Sequence, residues 1–337
     1  MERINMTISI QSVQERGLRW TIRGGFLILL CFYLSPLATA QNVVRVDGDP
    51  ILLSAQNDSP FMVPRWSPTG DRLAFTGSKY KGLWVANLDS WEPRLLTDEA
   101  AAGFGFSWSG DGGALLTRVA RFDGFRRDNA VTVFDVETGE ANRITEYRKR
   151  MSALPRWTAD VRKVVLPGED TFEVLDSGRS VLPGKVAEKV VPIFIARNDR
   201  VASVDVRTGE MESVAPAEAG AVLNLVESPD GSRVAFEVMG DDLIVMDSNG
   251  TNRVALGHGH RPRWSPDGQW VVYMVTEDDG HQFTSSDLFV ARADGKVRVR
   301  LTRTPDALEM NPDWSPDSRF IAYDDRGFIY LLPISKE

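Results

Sequence analysis

The feature that most restricts what this chain can fold into is a phrase that it repeats. It reads PRWSPTGDRLAF at 64–75, FSWSGDGGALL at 106–116 and PRWTADVRKVV at 155–165. It returns as VESPDGSRVAF at 226–236, PRWSPDGQWVVY at 262–273 and PDWSPDSRFIAY at 312–323. Each copy sets a tight turn between two short β-prone runs. Proline presets φ early in the turn, aspartate bonds its own backbone, and glycine accepts positive φ. A second turn follows in most copies: Glu-Thr-Gly-Glu within 131–145, Arg-Thr-Gly-Glu within 201–215, Ser-Asn-Gly-Thr within 243–256 and Ala-Asp-Gly-Lys within 288–302. Two hairpins per copy make a four-stranded antiparallel meander, its strands lettered a to d. A unit of this kind repeating about every 40–45 residues predicts an all-β fold, a closed β-propeller.

The recurring tryptophans, Trp66, Trp108, Trp157, Trp264 and Trp314, read as anchors that pack blade on blade. Burying ~150–250 Å² at ~25 cal/mol/Å² sets an upper bound of roughly 4–6 kcal/mol for each. The interval from Trp157 to Glu227 is too long for one blade. It holds a short hairpin at 172–183 and then 190–215, which reads as strands b, c and d of a degenerate extra blade. Seven blades result, or six if 168–200 is an insertion. The chain finishes on a c strand at 328–335, and the text around 50–67 matches that around 300–315. Ile51 to Ser54 should therefore supply the missing d strand. Closure in this way removes two exposed sheet edges. The propeller is expected to span 50–337 as a single domain, after a short leader at 41–49.

Residues 1–40 have the pattern of a secretory signal peptide. Arg16, Arg19 and Arg23 precede an apolar run from Phe26 to Leu34, and Ala38-Thr39-Ala40 offers a small-x-small cleavage site. The run is shorter than the roughly 20 residues of a membrane span. Cleavage near Ala40 would leave a periplasmic or secreted chain with no membrane span. The single cysteine, Cys31, lies in the leader, which excludes disulfides, thiol catalysis and cysteine metal sites from the mature chain. The formal net charge of −8 becomes −10 without the leader, with 35 basic and 45 acidic residues remaining. An acidic exported chain is a poor nucleic-acid binder. A monomer is expected.

The phrase Pro-x-Trp-Ser-Pro-Asp-Gly followed by an apolar strand resembles the TolB-like propeller repeat, also called the WD40-like Pro-Asp repeat. PRWSPDGQWVVY, PRWSPTGDRLAF and PDWSPDSRFIAY are the closest copies, and the resemblance covers roughly 50–337. TolB itself carries an additional α/β domain before its propeller, which helps engage the Tol–Pal envelope system. Only about ten residues separate this chain's signal from its closing strand, so a Tol–Pal role does not carry over. Prolyl-oligopeptidase-like enzymes use similar propellers beside a hydrolase domain, but no Gly-x-Ser-x-Gly elbow is present here.

In an up-and-down blade, the a–b and c–d turns lie on one face of the disc and the b–c and d–a connections on the other. The long connections at 76–82, 118–129, 145–154, 257–261 and 275–287 all belong to the second face. Variable loops on a rigid scaffold are where binding usually resides. Arg118, Arg121, Arg126 and Arg127, with Phe122 and Phe125, are joined there by Arg148, Lys149 and Arg150. Arginine forks suit carboxylates or phosphates, and aromatic rings add contact area. The competing reading is a solvated loop whose charges pair with Asp123 and Asp128. A second cluster holds all three histidines, His258, His260 and His281, near Glu277, Asp278 and Asp279. Imidazoles with carboxylates can hold zinc or manganese. Turn aspartates such as Asp230, Asp267 and Asp317 are explained by turn geometry rather than catalysis, and no catalytic pair is assigned.

The leading expectation is an exported non-enzymatic scaffold that binds an envelope protein or peptide, with no cofactor. One alternative is a metal-dependent carbohydrate enzyme with a divalent ion at the histidines, because oligogalacturonate lyases resemble this architecture. The other is a glycan or small-ligand binder without turnover.

Overall fold

A computed structural model describes residues 43–54, 60–151, 153–168, 171–180, 192–215, 217–305 and 307–337. The signal segment 1–40, with Cys31 and the cleavage site at Ala40, lies outside the described residues. Residues Gln41–Glu337 form one compact unit. Among the described residues seven antiparallel sheets follow one another along the chain, and the one short helical element is a 3₁₀ turn at Ser78–Tyr80. The sheets are the seven blades of a β-propeller.

Blades 1, 2, 5 and 6 each show four strands in the order a-b-c-d. Blade 1 is Phe61–Trp66, Arg72–Gly77, Leu83–Asn87 and Arg94–Thr97. Blade 3 shows three strands, Arg156–Trp157, Lys163–Pro167 and Phe172–Asp176. The extra blade is present as Ile193–Arg197, Arg200–Asp205 and Glu210–Ser213, in the registers expected for b, c and d. The hairpin expected at 172–183 is not part of that blade. Phe172–Asp176 pairs with Lys163–Pro167 and so is strand c of blade 3, while 181–183 lie outside the described residues.

The ring closes on blade 7, where Ile51 pairs with Leu331 and Leu52 with Tyr330. Closure also uses a segment that had been read as a leader. Val44–Val46 pairs with the far end of the same strand, Val44 opposite Lys336 and Val46 opposite Ile334. Val44 is fully buried in a cluster with Trp270, Trp314, Leu332 and Ile334. The reason is the length of strand c in blade 7. Phe328–Lys336 is nine residues long, more than Ile51 and Leu52 can cover, so a second piece of chain satisfies the rest of its edge.

The repeated phrase has a mechanism at every letter. In five of the six copies a buried serine follows the tryptophan position, and its Oγ accepts the first amide of strand b, as at Ser228 from Arg233 at 3.0 Å, Ser265 from Trp270 at 3.0 Å and Ser315 from Phe320 at 2.9 Å. The same hydroxyl donates to the turn aspartate, as from Ser228 to Asp230 at 2.7 Å and from Ser315 to Asp317 at 2.6 Å. Hydrogen bonds from Ser228 and Ser232 hold the Asp230 carboxyl down at about 2. Three of the tryptophans reach back one blade, whereas Trp66 Nε1 and Trp314 Nε1 are buried without a hydrogen-bond partner among the described residues. Trp108 Nε1 donates to the Arg65 carbonyl at 3.0 Å, Trp157 to Ser107 at 3.3 Å and Trp264 to Val226 at 3.2 Å. Acceptor and donor are adjacent columns of the repeat, so the phrase staples these three pairs of blades.

Glu227 stands where tryptophan stands in the other copies, beside blade 4, one of the two blades that show three strands. Its carboxylate accepts the Phe194 amide of blade 4 at 3.0 Å and pairs with Arg156 of blade 3. Arg156 Nη1 also donates to the Leu225 carbonyl at 3.4 Å. An acceptor side chain thus replaces a donor one, and it ties two neighbours instead of one.

Candidate functional site

Two of the long connections are not loops. Residues 118–129 are the outer half of a continuous hairpin, Ala114–Asp123 against Arg126–Asp135, turned at Gly124-Phe125 with Gly124 at φ 57°. Likewise 275–287 extends blade 6 through Trp270–Asp278 and Phe283–Arg292. Cross-strand partners explain the extension: Arg121 faces Asp128, Phe122 faces Arg127 and Asp123 faces Arg126. Opposite charges and ring–cation pairs stabilise a ladder well beyond the core.

Blade 2 therefore carries a projecting arm with Phe125 fully exposed at its tip and Phe122 58% exposed beside it. Its root binds the neighbouring connection, since the Asn129 and Arg148 amides each donate to the other's carbonyl at 2.8 Å. Of the basic residues named from the sequence, Arg118, Arg127, Arg148, Lys149 and Arg150 come together around two cavities, and Arg121 and Arg126 line neither. A cavity of about 550 Å³ on one side of the arm is lined by Lys79, Tyr80, Phe104, Arg118, Phe122 and Arg127 among others. A second, of about 730 Å³ on the other side, is lined by Arg118, Arg127, Arg148, Lys149, Arg150 and Met151 among others. Arg118 and Arg127 belong to both.

The charges in this region are unequally engaged. Arg148 makes a two-pronged pair with Glu173 of blade 3, with Nη2 to Oε2 at 3.0 Å. Arg121 reaches Asp128 at 3.5 Å and lies 4.4 Å over the Tyr147 ring. Arg118 donates to the Met151 carbonyl, while its Nε is buried without a partner among the described residues. Burial, and then Arg127 beside it, lowers the Arg118 pKa. Arg126, Arg127, Lys149 and Arg150 have no carboxylate in ion-pair range among the described residues. Pairing with Asp123 and Asp128 thus accounts for Arg121 alone.

The histidines divide. His258 and His260 meet edge to face with ring centroids 4.9 Å apart, and His260 Nδ1 lies 3.2 Å from Glu237 Oε2. Burial pushes the Glu237 carboxyl up, but bonds from His260, the Arg261 amide and Asn224 outweigh this and hold it below its usual value. His281 sits on the exposed end of the blade 6 hairpin, where its amide caps Asp279. Among the described residues no group of three or more His, Cys, Asp or Glu side chains is placed to hold a metal ion.

A second set of charged residues, scattered in sequence, converges on the axis of the ring. Strands a of neighbouring blades touch there. Four of the six residues just before a tryptophan position are charged, Arg65, Arg156, Arg263 and Asp313 of blades 1, 3, 6 and 7, and they lie within Coulomb range of one another through Arg263. Asp313 accepts the Trp66 amide at 2.8 Å and lies 3.4 Å from Arg263 Nε. Three residues before the same position, the a strands of blades 1, 5, 6 and 7 shift register, with Val63, Asn224, Arg261 and Asn311 at φ near +50°. These bulges aim amides at the b strand of the preceding blade. Asp324 accepts the Val63 amide and Asn311 Nδ2, both at 2.8 Å on one oxygen, and Glu237 accepts the Arg261 amide. Burial raises the Asp324 carboxyl to about 6 despite those bonds. The column read down the phrase, Arg-Ser-Arg-Val-Arg-Asp before the tryptophan position, was the sequence signal for this channel.

No protein-family profile and no curated protein matches the chain. Solved structures do. TolB from Acinetobacter baumannii superposes with a TM-score of 0.52 at 19% identity, over 76% of this chain and 57% of that one. A protein described as a TolB from Agrobacterium tumefaciens superposes with a TM-score of 0.51 at 17% identity, over 82% of this chain and 90% of that one. At such identities the likeness speaks to architecture: the chain has the fold of a TolB-like β-propeller.

Proposed function

We propose that this chain is an exported, non-enzymatic propeller that holds an acidic segment of an envelope protein or peptide on the face built by blades 1 to 3. One observation carries the reading. Two adjoining cavities share Arg118 and Arg127, and a projecting arm with two exposed phenylalanines stands between them. Unpaired guanidinium and ammonium groups would take carboxylates, and the rings would supply the desolvated contact that dominates binding energy. Export follows from the leader pattern at 1–40.

The test is capture of an envelope partner by immobilised mature protein, followed by the same assay with Arg126→Glu and Arg127→Glu combined. Capture is expected to fall below detection. Exposed substitutions of this kind should leave unfolding free energy within about 0.5 kcal/mol. Undiminished capture by the folded double variant would reject the arm as the binding element.

A further inference from the structure

The central channel holds cations that the ring itself does not neutralise. Arg156 has Glu227 and Arg263 has Asp313. Arg65 and Arg261 have no carboxylate in ion-pair range among the described residues. Arg65 is 9% exposed, and its Nη1 donates only to the Pro64 carbonyl at 2.8 Å and the Asn311 carbonyl at 3.2 Å. Its Nε and Nη2 have no acceptor among the described residues, yet neither is sealed from solvent. Arg261 approaches from blade 6, and its Nη2 reaches Tyr80 Oη at 3.3 Å. The nearby acids are already engaged: Asp324 by two N–H donors, Asp313 by the Trp66 amide and Arg263, and Glu237 by Asn224, His260 and the Arg261 amide.

A buried guanidinium with idle donors and like charges for neighbours is costly unless an anion completes it. We infer that the channel is a carboxylate-binding site in which Arg65 and Arg261 take the anion and Arg263 stands behind them. The electrostatics agree with the geometry, since burial and then the nearness of Arg263 push the Arg65 pKa down to about 9 in the empty ring. A planar monoanion suits the site better than a phosphate dianion, because Asp313 and Asp324 also lie within Coulomb range of Arg65. The carboxylate could arrive as a small free acid or as the end of a peptide chain, and both present the same two oxygens to the two forks. Tyr80 is common to this site and to the first cavity beside the arm, but Arg126 and Arg127 make no hydrogen bond or ion pair to Arg65 or Arg261 among the described residues.

The experiment titrates the mature protein with sodium acetate, and in parallel with N-acetyl-triglycine and its C-terminal amide. Ionic strength is held constant with chloride, and thermal unfolding and calorimetry are read. Acetate and the peptide acid should raise the melting temperature to a plateau, and the amide should not. Tighter binding of the peptide acid than of acetate would mark a chain terminus as the ligand, and equal binding a small free acid. Arg65→Met should abolish the shift, and it should melt no lower than the parent without carboxylate because a neutral side chain replaces an uncompensated charge. Should that ring fail to fold, Arg261→Gln decides. It keeps the backbone bulge and should weaken binding tenfold or more, the effect of one charge-assisted bond. The Arg126→Glu, Arg127→Glu ring should bind acetate as the parent does, so failure here and failure of the outer face are read separately. The inference is overturned if neither carboxylate binds, or if Arg261→Gln binds them as tightly as the parent.

Discussion

Arginines of the blade 2 arm and arginines of the central channel are the same side chain under opposite conditions. Beyond Arg118 the arginines of the arm stand in water, and Arg121 shares its charge with Asp128 and the Tyr147 ring. In the channel they are enclosed, their amide and carboxylate neighbours are held in fixed geometry, and Arg65 has only carbonyls to bond. A charge in water contributes little to stability and is available to a partner. An enclosed charge governs stability and titration. The arm should therefore change binding without changing the fold, whereas changes to the channel's charges should also move stability and its pH dependence.

The largest effect on the fold is expected where the channel replaces a tryptophan. Glu227→Ala removes the acceptor of the Phe194 amide and leaves Arg156 without its carboxylate. The cost should be about 2–4 kcal/mol in denaturant unfolding, the range for breaking a partly buried pair together with an amide bond. A loss below about 0.5 kcal/mol would place Glu227 with the exposed charges of the arm.

A smaller effect, of opposite sign at neutral pH, should follow at Asp324. Its folded-state pKa of about 6 lies above the ordinary carboxyl value, so the folded ring binds its proton more tightly than the unfolded chain does. That stabilisation is complete at low pH and is lost as pH rises from about 4 to above 6, a change of at most about 3 kcal/mol for a shift of this size. Asp324→Asn keeps the oxygen that accepts Val63 and Asn311, and it cannot ionise. Stability of the variant should lack this fall and exceed the parent's at pH 7. A parallel pH profile for the two proteins would contradict a titrating Asp324. The turn acids run the other way. Asp230, held at about 2, contributes stability that disappears only as pH falls from about 4 toward 2.

What the sequence revealed follows the same division. Blade number, the closing strand at Ile51 and the basic arm were legible because each is a local pattern: a phrase, a terminal match, four arginines within ten residues. The channel was not, because its charges arrive one per blade and are separated by scores of residues. Its trace was the column before each tryptophan, which looks like variation within a turn motif until the ring brings those charges within Coulomb range of one another. The arm was misread as a loop because Gly124 and the charges around it look like turn chemistry. The pairing nevertheless continues unbroken from Val119 opposite Ala130 to Asp123 opposite Arg126. Val44–Val46 was missed for its length: three residues give no period, and only the unpaired edge of Phe328–Lys336 makes them a strand.

Whether the arm's face is the working surface is tested most directly by site-specific photo-crosslinking in the exporting cell. A photoreactive residue replaces Phe125 at the tip of the arm or, in a second protein, Asn249 in the c–d turn of blade 5 on the opposite face. Adducts to an envelope protein or peptide are expected from position 125 and not from 249, and they should vanish when Arg126 and Arg127 are also changed to glutamate. Adducts from 249 in place of 125, or equal labelling from both, would contradict the assignment of this face.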